Sequence, residues 1–400
     1  MPSYRSLFRT PEFTPLFLAS SAQTAAQTMG GLALGTLVYR ATGSPLLSAL
    51  SMFGPSLAQV LGATFLLSGS DRLPPRTTLS VIAGAFAAGT AFQAVPGLPP
   101  GVLLGVVLLL GLVAALGGGV RWGLVNEILT KDRYLAGRSL FNIMNGLTQT
   151  VGYATGGVLL TAISPRTCLL LAATLYLTAA LLLRLGLTAR PPRATGRPSV
   201  AATWRTNAVL WSSRPRRLTY LGLWVPNGLT VGCESLYVSY APTSAGTLFA
   251  CAAVGMLVGD VTVGRLLSPE ARARLATPLL LLLAVPYLAF AAHPPLPLAM
   301  LCVTLASVGF GASLVQQERL MALTPGDLSG HALGLHSAGM LTLQGVSAAV
   351  AGSLAQLISP ATGMTLMAGA SVTVTVALAL AGREGRSQVR NTRGRLDAEV

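Results

Sequence analysis

Among the charged side chains that fall inside long apolar segments of this 400-residue sequence, two are candidates for proton or substrate binding. Glu234 belongs to the apolar segment 216–241, and Arg121 lies toward the end of the segment 100–124. A buried acid can take up and release a proton, and it is a candidate functional residue because charge is costly in an apolar medium. Two alternatives stay open: a permanently protonated Glu234 that only bonds a neighbouring helix, and an interfacial Arg121.

Other polar residues recur at intervals of three or four, which places each set on one face of a helix. Such stripes indicate either a shared aqueous cavity or interhelical hydrogen bonds without a ligand. Four stripes on separate segments favour the cavity. The candidate lining residues are Gln23, Gln27 and Thr28 in the first segment, Asn142, Asn145 and Gln149 in the fifth, Asn227, Thr230, Glu234 and Tyr237 in the seventh, and His336 and Gln344 in the eleventh.

The composition is that of a membrane protein, because 52% of the residues are hydrophobic and only 10% are charged. About 20 apolar residues cross the roughly 30 Å hydrocarbon core as a helix. The sequence therefore predicts an all-α membrane protein with twelve transmembrane helices. They are expected near 13–39, 45–68, 77–96, 100–124, 137–162, 166–187, 216–241, 244–267, 275–292, 296–319, 329–358 and 361–382.

The twelve segments form two groups of six, separated by a proline-rich basic stretch. We expect an N-terminal six-helix bundle (1–187), a basic cytoplasmic linker that cannot pack as a core (188–215), a C-terminal six-helix bundle (216–382) and a polar, disordered cytoplasmic tail (383–400). Nearly all arginines then fall on one side, so both termini are expected in the cytoplasm. The net charge of +15 indicates anionic lipid headgroups as a partner and not nucleic acid, because few aromatic residues accompany the arginines.

The two halves carry related motifs about 190 residues apart. Asp71 and Arg76 recur with the same spacing as Asp260 and Arg265, and the segment 156–165 is echoed by 351–360. Internal repeats of this kind are typical of transporters built from two like bundles. The sequence thus predicts two pseudo-symmetric halves.

The loop between the second and third segments carries a further motif. It is similar to the G-x-L-x-D-R-x-G-R-[RK] signature of the major facilitator superfamily, and the whole chain resembles the bacterial twelve-span drug-efflux members of that family. The departures are Leu67 and Pro74 in place of the two glycines and Pro75 in place of an arginine. The resemblance implies a gating loop that makes contacts in one arrangement of the bundles only; the alternative is charges that merely set topology. Its residues are Asp71, Arg72 and Arg76, with Asp260 and Arg265 in the second half.

The fifth segment contains "GYATGG", with Gly152, Gly156 and Gly157. This stretch resembles the glycine-rich signature of the family's exporters, although the family's proline is missing. On physical grounds, the G-x-x-x-G spacing of Gly152 and Gly156 lets two helices approach closely. Both a gating role and simple helix packing are consistent with it.

The resemblance implies alternating access around a central cavity lined by the first, second, fourth and fifth helices of each half. We therefore expect a monomeric, multi-pass cell-membrane transporter that exports a small amphipathic compound, a drug or natural product, using the proton gradient and no cofactor. A proton-coupled importer on the same fold is the main alternative. An enzyme is disfavoured because no cluster of acids could hold a catalytic metal, and a membrane sensor because no signalling domain is appended.

Overall fold

The computed structural model describes residues 4–66, 73–192, 200–325 and 328–396. Two short 3₁₀ segments (Val285–Ala292 and Gly309–Gly311) and a π-helical turn (Thr262–Leu266) extend the α-helices of the second half. The α-helices of the described residues are α1 (Tyr4–Leu7), α2 (Phe13–Thr42), α3 (Pro45–Leu66), α4 (Pro75–Gln93), α5 (Pro100–Ile128), α6 (Lys131–Ala162), α7 (Pro165–Gly186), α8 (Val200–Ser212), α9 (Arg214–Glu234), α10 (Tyr237–Tyr240), α11 (Ala245–Val261), α12 (Pro269–Leu282), α13 (Leu296–Val308), α14 (Ala312–Ala322), α15 (Ser329–Leu357) and α16 (Pro360–Leu396).

The described residues form twelve long helical passages, six before α8 and six after it. In the second half, α9 and α10 together form the seventh passage, and α13 and α14 form the tenth. Many passages begin with proline, whose fixed φ suits the first helical position and whose missing N–H would have no partner there. The expected all-α fold is confirmed.

Among the described residues, eight passages are long and apolar enough to cross a membrane: α3, α5, α7, α11, α12 with its 3₁₀ segment, α13 with α14, α15 and α16. The helices α2, α4, α6 and α9 are more polar, and their composition alone does not identify them as membrane-spanning. Three of these four carry predicted polar stripes. Many large apolar side chains are exposed on the surface of the helices, among them Leu109, Leu181 and Leu301, as expected of a surface that faces lipid.

The internal repeat is visible in the structure at the turns before α7 and α16. In each case a serine precedes the helix and a proline is its first residue, and the serine Oγ accepts a hydrogen bond from the backbone N–H of a threonine three residues on, from Thr167 to Ser164 and from Thr362 to Ser359. A serine cap of this kind satisfies one of the free N–H groups of the first turn. The two halves therefore reproduce the same local structure at equivalent positions.

Contacts between the halves run along two helix pairs, α3 with α15 and α6 with α11. We name the two ends of the molecule by their connections. The short-turn end carries the connections 43–44, 94–99, 163–164, 241–244, 293–295 and 358–359, and the linker end carries 129–130 and 267–268 and the described residues of the connections after α7 and α14.

Two expectations about the linker and the tail need correction. The linker is not wholly unpacked, because α8 forms between Pro198 and Pro215, Leu210 on α8 is buried, and Trp211 on α8 stacks on Tyr220 and Trp224 of α9. The polar tail is helical as far as Leu396, where α16 continues past its apolar part. The 13 residues of α8 contain neither proline nor glycine, which explains why a helix can form there.

An ion pair fastens the start of α2 to the segment after α7. The Arg190 guanidinium donates two hydrogen bonds to the Glu12 carboxylate, at 2.6 and 2.7 Å, and the hydroxyl of Thr188 donates a third. Burial acts to raise the pKa of Glu12, but the hydrogen bonds from Arg190 and Thr188 outweigh it and hold that pKa below the usual 4.5. The pair joins the first and sixth passages at the linker end.

The substitution Glu12→Gln should lower the stability of the purified protein by about 1 kcal/mol at pH 7, because a bidentate, partly exposed pair is lost. A lowered pKa in the folded state stabilises above the unfolded-state pKa and ceases to do so as the pH falls through the folded value. The difference between wild type and Glu12→Gln should therefore shrink as the pH falls below 4.5 and vanish below the lowered folded-state pKa of Glu12. Thermal unfolding at several pH values measures this difference in stability, and Arg190→Gln completes a double-mutant cycle. A difference between wild type and Glu12→Gln that persists in acid would contradict the prediction.

Candidate functional site: polar groups within the helical bundles

Glu234 is the last residue of α9, where the seventh passage breaks before α10. Its side chain is only 6% exposed, and its Oε1 atom is buried without a hydrogen-bond partner. Burying such a group unpaired is costly if it carries charge. The position is therefore suited to a carboxyl group that gains and loses a proton.

Three tyrosines surround this acid. The phenol groups of Tyr153, Tyr237 and Tyr287 lie within electrostatic range of the Glu234 carboxyl, and the hydroxyls of Tyr237 and Tyr287 are hydrogen-bonded to each other. Tyr153 belongs to α6 and stacks on Phe249 of α11, with ring centroids 4.9 Å apart. Because Tyr153 comes from the first half, Glu234 lies at the boundary between the halves.

Arg121 lies on α5 and faces α2. Its guanidinium donates a hydrogen bond to Oε1 of Gln23, and among the described residues it takes part in no ion pair. The two side chains line a cavity of about 220 Å³. Gln27 and Thr24 of α2 line the same cavity.

This cavity differs from the expected central one. It lies inside the first bundle, and α4 and α7 contribute to its wall together with α2, α3 and α5. The resemblance had placed the third and sixth passages outside. The physical reason is the set of small residues on α2 and α5, including Gly31, Gly117 and Gly118, which leaves space within the bundle.

Amide and hydroxyl groups of the stripes pair across equivalent helices. In the first half, the Thr24 hydroxyl donates to Oδ1 of Asn145 at 3.1 Å, joining α2 to α6. In the second half, the Gln344 amide donates to Oδ1 of Asn227 at 3.1 Å, joining α15 to α9. Both hydrogen bonds join the first and fifth passages of a half. The polar stripes therefore include side chains that pair between helices, as here, and side chains that line a cavity, as Gln23 and Gln27 do.

Several predicted lining residues lie in packed regions instead. Tyr237 and Thr230 are fully buried, and the Thr230 hydroxyl donates to the carbonyl of Pro226. His336 is buried on α15 with Nδ1 unpartnered, while its backbone carbonyl accepts a hydrogen bond from Trp224. Helical periodicity identified the inward face, but it does not separate side chains that reach a cavity from those that meet another helix.

Gln149 is exposed on α6, and the side chain of Asn142 lies outside the described residues.

The predicted gating residues are only partly described. Asp71 and Arg72 lie outside the described residues. Arg76 donates a hydrogen bond of 2.8 Å to the backbone carbonyl of Arg184, so it joins α4 to the end of α7 within one half. Asp260 and Arg265 are exposed at the linker end.

The glycines of α6 permit two close approaches. Gly152 and Gly156 face Thr28 and Met29 of α2, and Gly157 faces Gly246 of α11 in the other half. A Cβ atom at Gly157 would lie 2.5 Å from backbone atoms of Gly246. Backbone therefore meets backbone where the halves touch at the short-turn end.

Sequence reasoning missed Tyr153, Tyr287, Phe249 and Gly246. Each belongs to an apolar or aromatic environment and has no local pattern that marks it. Their role depends on which helices of the two halves meet, and a single sequence does not contain that information. Tyr153 could have been found from its place one residue after Gly152 in the glycine-rich stretch.

The fold and the polar interior define a multi-pass membrane protein with the architecture of a secondary transporter. The family model of the Major Facilitator Superfamily matches residues 16–315, and the chain belongs to that family.

Solved structures agree on the fold. A variant of the nucleoside transporter NupG superposes with a TM-score of 0.73 at 13% identity, covering 92% of this chain and 99% of that one. A bacterial homolog of the human lysosomal transporter Spinster, inward-facing and unoccupied, gives 0.71 at 13% identity, with 95% and 96% covered. The human organic anion transporter MFSD10 gives 0.65 at 19% identity, with 94% and 100% covered. Comparison with curated proteins gives no significant match.

Proposed function

We propose that this protein is a proton-coupled exporter of a small amphipathic compound, located in the cell membrane with both termini in the cytoplasm. The observation that carries the proposal is the Glu234 carboxyl near the boundary between the halves, whose buried Oε1 atom has no hydrogen-bond partner. An acid in that position changes its surroundings whenever Tyr153 moves relative to α9. Proton affinity and conformation are thereby coupled, as exchange of a proton for a substrate requires.

Alternating access is supported by the two helix pairs that join the halves. In this structure the close contact of Gly157 with Gly246, the stack of Tyr153 on Phe249, and the hydrogen bond from Ser44 to Gln356 all lie toward the short-turn end. The arginine-rich linker end is the proposed cytoplasmic side. With this orientation, we propose that the structure represents a state closed toward the outside. Substrate enters this state from the cytoplasm.

The proposal is tested in two stages. Growth of an efflux-deficient host that expresses the protein, exposed to a panel of toxic amphipathic compounds, should reveal compounds to which it confers resistance. Each such compound is then added to proteoliposomes that hold a pH gradient and a pH-sensitive dye. An exporter should dissipate the gradient only when the compound is present; compound movement without proton movement contradicts the coupling, and uncoupler-sensitive uptake by intact cells contradicts the direction.

A further inference from the structure

The cavity inside the first bundle has an unusual distribution of charge. Among the described residues that line it, Arg121 is the only charged one, and the only partner that its guanidinium has is the neutral amide of Gln23. An arginine has five N–H donors, so most of its hydrogen-bonding capacity is unused. Arg121 is partly buried, and a partly buried cation with a neutral partner attracts an anion from solution or from the membrane.

The shape of the cavity restricts what that anion can be. Lining residues on α5 run from Val107 to Arg121, 14 positions apart, which is about 21 Å along a helix. The volume of about 220 Å³ is smaller than the roughly 300–1,000 Å³ of sites for drug-sized ligands. A cavity this long and this small accommodates a slender molecule only.

The wall away from Arg121 is apolar along α5 and much of α4, while Gln27 contributes a polar group at mid-height and Ser51, Thr90 and Gln93 contribute polar groups toward the short-turn end. Ile82 and Phe86 of α4 and Leu110 and Ala114 of α5 line the middle of the cavity. Toward the short-turn end the amide of Gln93 is already bonded to the carbonyl of Leu103. A ligand that fits therefore has one polar end at Arg121 and an apolar body.

We infer that the cavity binds a slender organic anion, with its carboxylate on the Arg121 guanidinium and its unbranched apolar chain directed between α4 and α5. This inference rests on the proposed transport function and names the chemical class of its substrate. Binding at equilibrium requires neither a gradient nor a particular direction of transport. The two proposals can therefore fail separately.

The experiment measures binding of octanoate and of its neutral counterpart octanamide to the purified full-length protein by calorimetry. Octanoate should bind at least 10-fold more tightly, because a charge-assisted bidentate hydrogen bond is available to it alone. Arg121→Gln should abolish this preference, and Arg121→Lys should restore part of it, since lysine keeps the charge without the planar fork. Equal binding of the two compounds, or an unchanged preference in Arg121→Gln, would overturn the inference.

A steric pair of variants tests the location. A Cβ atom at Gly118 meets nothing within 4 Å, and Gly118 lines the cavity, so Gly118→Leu should fill the space and remove binding of both compounds. Gly105 on the same helix is equally open but is exposed outside the cavity, so Gly105→Leu should bind normally. Unfolding temperatures confirm that each variant is folded. Normal octanoate binding by a folded Gly118→Leu would place the ligand elsewhere and overturn the inference.

The source of the anion is distinguished by chain length. Tight binding of octanoate indicates a water-soluble acid, whereas binding that appears only with palmitate indicates a fatty acid from the bilayer. If binding is confirmed but neither an organic acid nor any other compound is transported, the site stands and the exporter proposal fails. If other compounds are transported with proton movement while Arg121→Gln changes nothing, the exporter proposal stands and this site fails.

Discussion

Replacing Glu234 with glutamine is expected to abolish proton-driven accumulation while leaving exchange of substrate for substrate. With one proton per substrate, a pH gradient of one unit supports about a tenfold substrate gradient, because 1.4 kcal/mol corresponds to a factor of ten. In Glu234→Gln the ratio should fall to about one, since the amide cannot titrate. Both quantities are measured in proteoliposomes, the first with an imposed pH gradient and the second as counterflow without one.

The glutamine variant also separates the two interpretations of this acid. A permanently protonated Glu234 would act only as a hydrogen-bond donor, and glutamine keeps that ability, so unchanged accumulation would show a purely structural role. Glu318→Gln is the matched control, because Glu318 is an exposed acid at the linker end that pairs with Arg272. It should retain the tenfold gradient.

Substituting alanine for Gly157 should prevent closure of the short-turn end and stop transport. The new Cβ atom would lie 2.5 Å from the backbone of Gly246, and backbone atoms cannot turn aside as a flexible side chain can. Overpacking costs about 1–3 kcal/mol, which changes the ratio of two conformations by about 5- to 150-fold. We expect a transport rate lowered by about 5- to 150-fold, with little change in the amount of folded protein.

Closure can be followed directly through the contact between Ser44 and Gln356, whose side chains lie 2.9 Å apart across the halves. Cysteines at these two positions, with the four native cysteines replaced by alanine, should cross-link readily in the parent and poorly with Gly157→Ala. Gly146→Ala makes the same chemical change on the same helix at a position where Cβ meets nothing. Efficient cross-linking and normal transport in Gly157→Ala would show that the glycine contact is not required.

The sequence was a good guide to the helices because lipid imposes a simple rule on them. Apolar length, bounded by proline, glycine or charge, located α2 and α3 to within a few residues of their ends. The same rule does not show where a passage changes helix type, and the break between Glu234 and Tyr237 was not predicted. Whether a buried turn continues as α-helix depends on packing against neighbours.

The site was predicted less completely. Periodicity placed Asn227 and Gln344 on inward faces, and the structure joins them. It did not locate the cavity, because the space arises from small residues on different helices that must first be assembled. Nor did it identify Tyr153 as a neighbour of Glu234, since that pair depends on how the first half packs against the second.

The depth of Glu234 has an electrical consequence. The 21 residues of α9 extend about 30 Å from the linker end, so the acid lies most of the way across the hydrocarbon core. A membrane voltage of 100 mV is worth about 2.3 kcal/mol for a unit charge that crosses the whole field, and a proton passing between this carboxyl and the linker side crosses the larger part of it. Current recordings should therefore show voltage-dependent proton release even when a complete cycle moves no net charge.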